Sequence, residues 1–167
     1  MGIRFACITK ETPECFPEMP LKKVAEYLSR QKSQAFTDEE LPENYLLITA
    51  DTVVIAENEI LGKPADRDDA LRMLRLLSGK THVVVTGVTL RSKERIKTFS
   101  ASSSVTFANL DPEEMEFYVD HYRPFDKAGA YGIQEWIGYV GISGLRGSFY
   151  NVMGLPTQRL YNALKNY

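Results

Sequence analysis

The spacing of apolar and polar positions changes several times along the chain, and each change marks an element. Leu21, Val24, Ala25 and Leu28 recur at helical spacing and predict a helix over 21–36. Leu46-Leu47-Ile48 and Val53-Val54-Ile55 are short apolar runs, and they predict a central strand region over 46–54 whose first run leads to a lone acid, Asp51, as the strand end. Asp66 caps a predicted helix over 67–78 that carries Leu71, Leu74 and Leu77, with Gly79 as its stop. Residues 82–90 and 97–107 are long β-rich runs joined by a polar turn, the clearest hairpin pattern in the chain. Asp111-Pro112-Glu113-Glu114 combines a capping acid, proline at the first helical position and an acid at the third, which opens a helix to about His121. Short strands are expected over 3–8 and 137–142. A last helix follows Pro156, with Leu160, Tyr161 and Leu164 inward. Residues 12–20, 37–45, 125–132 and 144–154 read as loops. The strand–helix alternation, interrupted by a long hairpin, predicts an α/β protein whose sheet is mixed rather than purely parallel.

Composition narrows the possibilities. A chain of 167 residues suits a single domain with a real core. Its net charge of −2 gives no global attraction to nucleic acid or anionic membrane, so any phosphate site must be a local cluster of lysines. No apolar run is long enough to span a bilayer, and the start carries no secretory pattern, so a cytoplasmic protein is expected. The two cysteines, Cys7 and Cys15, fit no zinc or redox spacing and read as reduced thiols. His82 and His121 lie in strand-like and helix-like runs, which speaks against a histidine metal cage.

Three stretches carry candidate chemistry. Asp51 follows an apolar strand, where a carboxylate can hold a cation or orient a water. A turn aspartate bonded to its own backbone has the same spacing, and the pattern does not choose between them. Thr52 beside it is a strand residue or a ligand contact. Lys63 stands between Gly62 and Pro64, which restrict the backbone around it. A solvated loop lysine is the plainer reading there, as it is for Lys32 on the first helix. Asp126 to Gln134 brackets Lys127 and Tyr131 with small residues. Such a loop can turn amide groups toward phosphate, or can be only a tight turn. Gln134 offers both a donor and an acceptor, which suits a base edge. The polar loop 147–151 lines the same cleft or serves as a connection. No Ser-His-Asp or Cys-His arrangement can be argued.

Taken together, Ala50-Asp51-Thr52-Val53-Val54, Leu61-Gly62-Lys63-Pro64, Leu77-Ser78-Gly79-Lys80-Thr81-His82, Val85-Thr86-Gly87-Val88, the run from Asp126 to Gln134, and Asn151-Val152-Met153-Gly154-Leu155-Pro156 occur in the order of motifs in the Maf family of nucleotide pyrophosphatases. The chain resembles that family from Gly2 onward. The resemblance implies an elongated α/β fold with a mixed sheet, flanking helices and a central cleft, similar to inosine triphosphatase. It implies a homodimer that hydrolyses a nucleoside triphosphate to the monophosphate and pyrophosphate with a divalent cation, Mg²⁺ or Mn²⁺. By the same resemblance Asp51 is the general base or metal-linked acid, Glu11 a second metal acid, Lys32, Lys63 and Lys127 phosphate contacts, and Thr52 and Gln134 specificity positions. The tract ending at Gln134 is similar to the branch that uses dTTP and UTP. Residues 1–167 are expected to form one Maf-like domain, incomplete at its start, because the family's first strand and Ser-x-x-Arg-Arg phosphate loop have no counterpart in this sequence. That difference leaves a second expectation open: an impaired nucleotide binder, or a division regulator acting through a protein partner.

Overall fold

The computed structural model describes residues 2–167. In order, it contains α1 (Leu21–Gln34), β1 (Leu47–Ala56), β2 (Glu59–Leu61), α2 (Arg67–Leu77), β3 (Thr81–Arg91), β4 (Ile96–Phe107), α3 (Pro112–Tyr122), α4 (Trp136–Val140), β5 (Ile142–Arg146), α5 (Phe149–Val152) and α6 (Thr157–Lys165). The strands form one sheet in the order β2-β1-β3-β4-β5. Each neighbouring pair is antiparallel, so the α/β class holds with a sheet built wholly from antiparallel ladders. Two of the four pairs are hairpins closed by short turns. Glu57 and Asn58 take positive φ and close the β1–β2 hairpin, and Ser92 to Arg95 closes β3–β4.

Alternation along the strands divides the core between two faces. Val53 and Val85 point toward α1 and meet Val24, Ala25 and Leu28. Val54, Val84, Val105 and Phe107 point the other way, onto Leu71, Leu74 and Leu77 of α2 and Met115, Tyr118 and Val119 of α3. Further along that second face, Val88 and Leu90 pack on Leu160 and Ala163 of α6. Burying this apolar surface on both sides of the sheet is the main favourable term in the fold.

Helix α1 lies unusually close to the sheet. A Cβ on Gly87 would stand 2.2 Å from the Ala25 carbonyl oxygen, so only glycine permits the approach. Polar contacts then fix the far half of the helix. Thr49 Oγ1 donates to the Ser29 carbonyl at 2.7 Å, and the Ser29 and Thr89 hydroxyls meet at 3.0 Å. The buried Arg91 guanidinium donates to the Ser33 carbonyl, placing a cation at the helix C-terminus.

Four expectations are corrected. Residues 3–8 form no strand: from 2 to 20 there is neither helix nor ladder, and Phe5 is 83% exposed. Apolar residues alone do not make a strand without an edge to pair with, and this segment pairs with neither edge of the sheet. The predicted strand over 137–142 is instead α4, which buries only Ile137 fully, followed by β5. Part of the predicted loop 144–154 belongs to β5 and α5, because β4 offers a free edge to residues 142–146 and Ser148 caps α5 by accepting from the Asn151 amide. Finally, β1 does not stop at Asp51 but runs on to Ala56.

Candidate active site at the free edge of β1

The hairpin partner β2 covers β1 only from Val54 to Ala56, which leaves the edge at Ala50 to Val53 open. A cleft of about 400 Å³ wraps that edge, within the size range of small-molecule sites. Because successive strand residues face opposite ways, Asp51 enters the cleft from the α1 face and Thr52 from the other. The mid-strand position of Asp51 thus divides the site into two halves.

The half beneath α1 is charged. Asp51 is 9% exposed and accepts a hydrogen bond from Lys32. Lys32 also lies 3.7 Å from Glu14, and Lys63 donates to the same Glu14 carboxylate at 2.6 Å. Burial raises the proton affinity of Asp51. Lys32 and Lys63 oppose that effect without cancelling it, and Glu14 adds to it. Burial pushes Glu14 upward too, but its two lysines outweigh burial and hold it below the usual range. The result is a carboxylate held ready to take a proton, beside two ammonium groups suited to phosphate.

The other half is built by residues 126–135 and the turn after α5. Lys127 contacts Asp126 at 2.9 Å and Glu135 at 3.2 Å. Burial lowers its proton affinity, but the two carboxylates raise it more. Glu135 in turn accepts from the Tyr118 hydroxyl, which itself accepts from the Gly132 amide at 2.9 Å. Gly129, at φ 70°, lets this loop turn against Val54. Behind the loop the Tyr131 hydroxyl meets His82 Nε2 at 2.7 Å. Thr52, Gln134, Met153 and Gly154 complete the lining.

The cleft gathers Lys32, Asp51, Thr52, Lys63, Lys127 and Gln134 from four separate segments. Glu11 is exposed and does not line it; Glu14, three residues on, does. Glu14 lies in a segment with no periodicity, so nothing in the sequence singled it out. Glu135 gave no more signal, as a polar residue on a short element. Asn151 is fully buried behind the wall rather than lining it, donating to the Val84 carbonyl at 3.1 Å and to Ser103 Oγ at 3.0 Å. Among the described residues no three His, Cys, Asp or Glu side chains gather as a metal cage. Both cysteines are free and exposed, and no described helix is long and apolar enough to cross a membrane.

A family model described as Maf-like protein matches residues 1–167. The chain belongs to the Maf family. A protein of Porphyromonas gingivalis named dTTP/UTP pyrophosphatase is 52% identical to this Maf-like chain over 172 residues, covering 100% of this chain and 85% of that protein. The protein of the same name from Bacteroides thetaiotaomicron is 51% identical over 167 residues, covering 99% and 86%. That of Flavobacterium psychrophilum is 45% identical over 168 residues, covering 100% and 86%. Maf membership accords with the order of the motifs along the sequence. Four of those six motifs, at 50–54, 61–64, 126–134 and 151–156, contribute residues to the cleft at the edge of β1.

Proposed function

We propose that this Maf-like chain hydrolyses dTTP or UTP to the nucleoside monophosphate and pyrophosphate. The names of relatives near 50% identity support the reaction and the substrate. The observation that carries it is the buried Asp51, of raised proton affinity, in one cleft with Lys32, Lys63 and Lys127.

In this reading a water sits between Asp51 and the α-phosphorus. Asp51 accepts its proton as the water oxygen bonds to phosphorus. The bond from phosphorus to the α,β-bridging oxygen breaks, and pyrophosphate leaves with the electron pair. Lys32 and Lys63 neutralise the phosphates from the α1 side and Lys127 from the other, so charge that builds on the leaving group meets fixed cations. Thr52 and Gln134 face the base.

Asp51 and Glu14 are the carboxylates nearest the two lysines, and as hard oxygen donors they would hold Mg²⁺ or Mn²⁺. Such an ion, when bound, supplies Lewis-acid stabilisation of phosphoryl oxygens. Glu11, off the cleft lining, is the weaker candidate for that role. We also propose that the protein works as a homodimer in the cytoplasm. The exposed Tyr139, Val140 and Tyr150, on elements that flank β5 in sequence, support pairing of two copies.

The test is pyrophosphate release from dTTP and UTP by the full chain, with Mg²⁺ and after chelation. Release that needs the ion and disappears in Asp51→Asn supports the reading. No release from either nucleotide under any cation sinks it.

A further inference from the structure

The hydroxyl of Tyr118, on α3, has no choice of hydrogen-bonding role. It meets the Gly132 amide at 2.9 Å and Oε2 of the Glu135 carboxylate. An amide N–H can only donate, so the hydroxyl accepts from Gly132 and sends its one proton to Glu135. Tyr118 is fully buried. Burial, with the Glu135 contact next, raises its proton affinity, so the phenol keeps its proton and the direction of the bond holds.

Glu135 divides its two oxygens. Oε2 belongs to Tyr118, and Oε1 lies 3.2 Å from Lys127 Nζ. Lys127 has a second carboxylate beside it, Asp126, but the two are unlike: the Asp126 side chain is 76% exposed and that of Glu135 20%. An exposed ion pair does little to hold a long side chain in one place, so Glu135 is the partner that fixes Lys127. Gly132 makes room for the pair. A Cβ there would stand 2.9 Å from Glu135 Cδ and 2.9 Å from Lys127 Cε. An ammonium has three donors, and two carboxylate oxygens occupy at most two of them, which leaves one for an anion in the cleft that Lys127 lines. With one oxygen tied to a buried phenol, Glu135 cannot swing both oxygens onto the ammonium and close it off.

We infer that Tyr118 is a positioning residue for substrate binding: through Glu135 it sets the Lys127 ammonium in the cleft, where that ammonium takes a phosphate oxygen of the nucleotide. The inference rests on the nucleotide reading above and deepens it. Neither Tyr118 nor Glu135 lines the cleft, so both act on a bound nucleotide only through the loop that carries Lys127.

The experiment is a double-mutant cycle. Titration calorimetry measures binding of the α,β-imido analogue of UTP, with Mg²⁺, to the full chain as wild type, Tyr118→Phe, Lys127→Met and the double variant. Phenylalanine keeps the ring that stacks on Tyr122 at 5.3 Å and removes only the hydroxyl. Each single substitution is expected to raise the dissociation constant by about tenfold, the scale of one charge-assisted hydrogen bond. In the Lys127→Met background Tyr118→Phe should add no more than about twofold, because the lysine it acts through is gone. A phenol that merely supported the loop would cost the same in both backgrounds, and that result overturns the inference. An unchanged constant in Tyr118→Phe or in Lys127→Met overturns it as well. If Tyr118→Phe does not fold, Glu135→Asp takes its place in the cycle: it keeps the charge and is too short to reach phenol and ammonium together, so the same weakening and the same loss of effect in the Lys127→Met background are expected. Pyrophosphate release from UTP is followed in parallel. Wild-type turnover with an additive cycle removes the Tyr118 role alone. Neither turnover nor binding by wild type removes the nucleotide reading and this inference together.

Discussion

Lys32 reaches across 19 residues of sequence, from the last turn of α1, to donate a hydrogen bond to the buried carboxylate of Asp51. The pair joins a helix to the open edge of a strand and sets the charge of the cleft. Burial still leaves Asp51 with a proton affinity above the usual carboxylate range.

Asp51→Asn removes the proposed base and keeps its shape. Turnover of dTTP and UTP should fall by about 10²–10⁴, the usual contribution of a general base. Binding of a non-hydrolysable triphosphate should persist. Wild-type kcat/KM should fall on the acid side as Asp51 takes up a proton, with a midpoint above the ordinary carboxylate value near 4. An acid limb at or below that value would remove Asp51 from the role.

The two lysines should separate kinetically. Lys63 is half exposed and, among the described residues, forms its ion pair with Glu14, so Lys63→Ala should raise KM by roughly tenfold, the scale of one charge-assisted hydrogen bond, with kcat little changed. Lys32→Ala also leaves Asp51 without its main partner, raising its proton affinity further. Its kcat should fall, and its acid limb should move to higher pH. Identical profiles for the two variants would contradict the division of labour.

Gly87→Ala tests the seat of α1. The added Cβ has no room against the Ala25 carbonyl, and backbone must shift to admit it. Overpacking of this kind costs about 1–3 kcal/mol, occasionally more. Denaturant unfolding should show that loss. Activity should fall beyond what the lost stability explains, because α1 carries Lys32.

His82 is buried against Tyr131 and Phe107, and burial lowers its pKa from 6.5 to about 4. Between those values the unfolded chain holds the extra proton and the folded chain does not. The His82 contribution to stability is therefore complete above about pH 6.5 and is lost as pH falls toward about 4, at up to about 1.4 kcal/mol per pH unit. Urea titrations of wild type and His82→Gln over that range should diverge in slope. Parallel curves would place the proton elsewhere.

Much of the framework could be read from the chain. The 82–90 and 97–107 runs pair as the hairpin their composition suggested, because β-branched residues on both sides of a short polar turn leave little choice of register. Helices α2 and α3 begin at the acids that marked them, since a cap is a local contact within one turn. The segments that misled were those whose state depends on a distant partner. Residues 3–8 look like a strand and have no edge to join. Residues 144–146 look like a loop and become part of β5 because β4 lies beside them.

The site divides in the same way. The sequence by itself determined which residue types were present and in what order: a lone acid after an apolar run, lysines near glycine, and a small-residue loop ending in Gln134. Those are properties of neighbours along the chain. Only the tertiary structure decided that Asp51 is buried in mid-strand with Lys32 upon it, that Glu14 rather than Glu11 lines the cleft, and that Tyr118 of α3 ties Glu135 beside Lys127. Proton affinity and hydrogen-bond direction depend on burial and on partners many residues away. Contacts of that kind exist only once the sheet has closed over α1 on one face and α3 on the other.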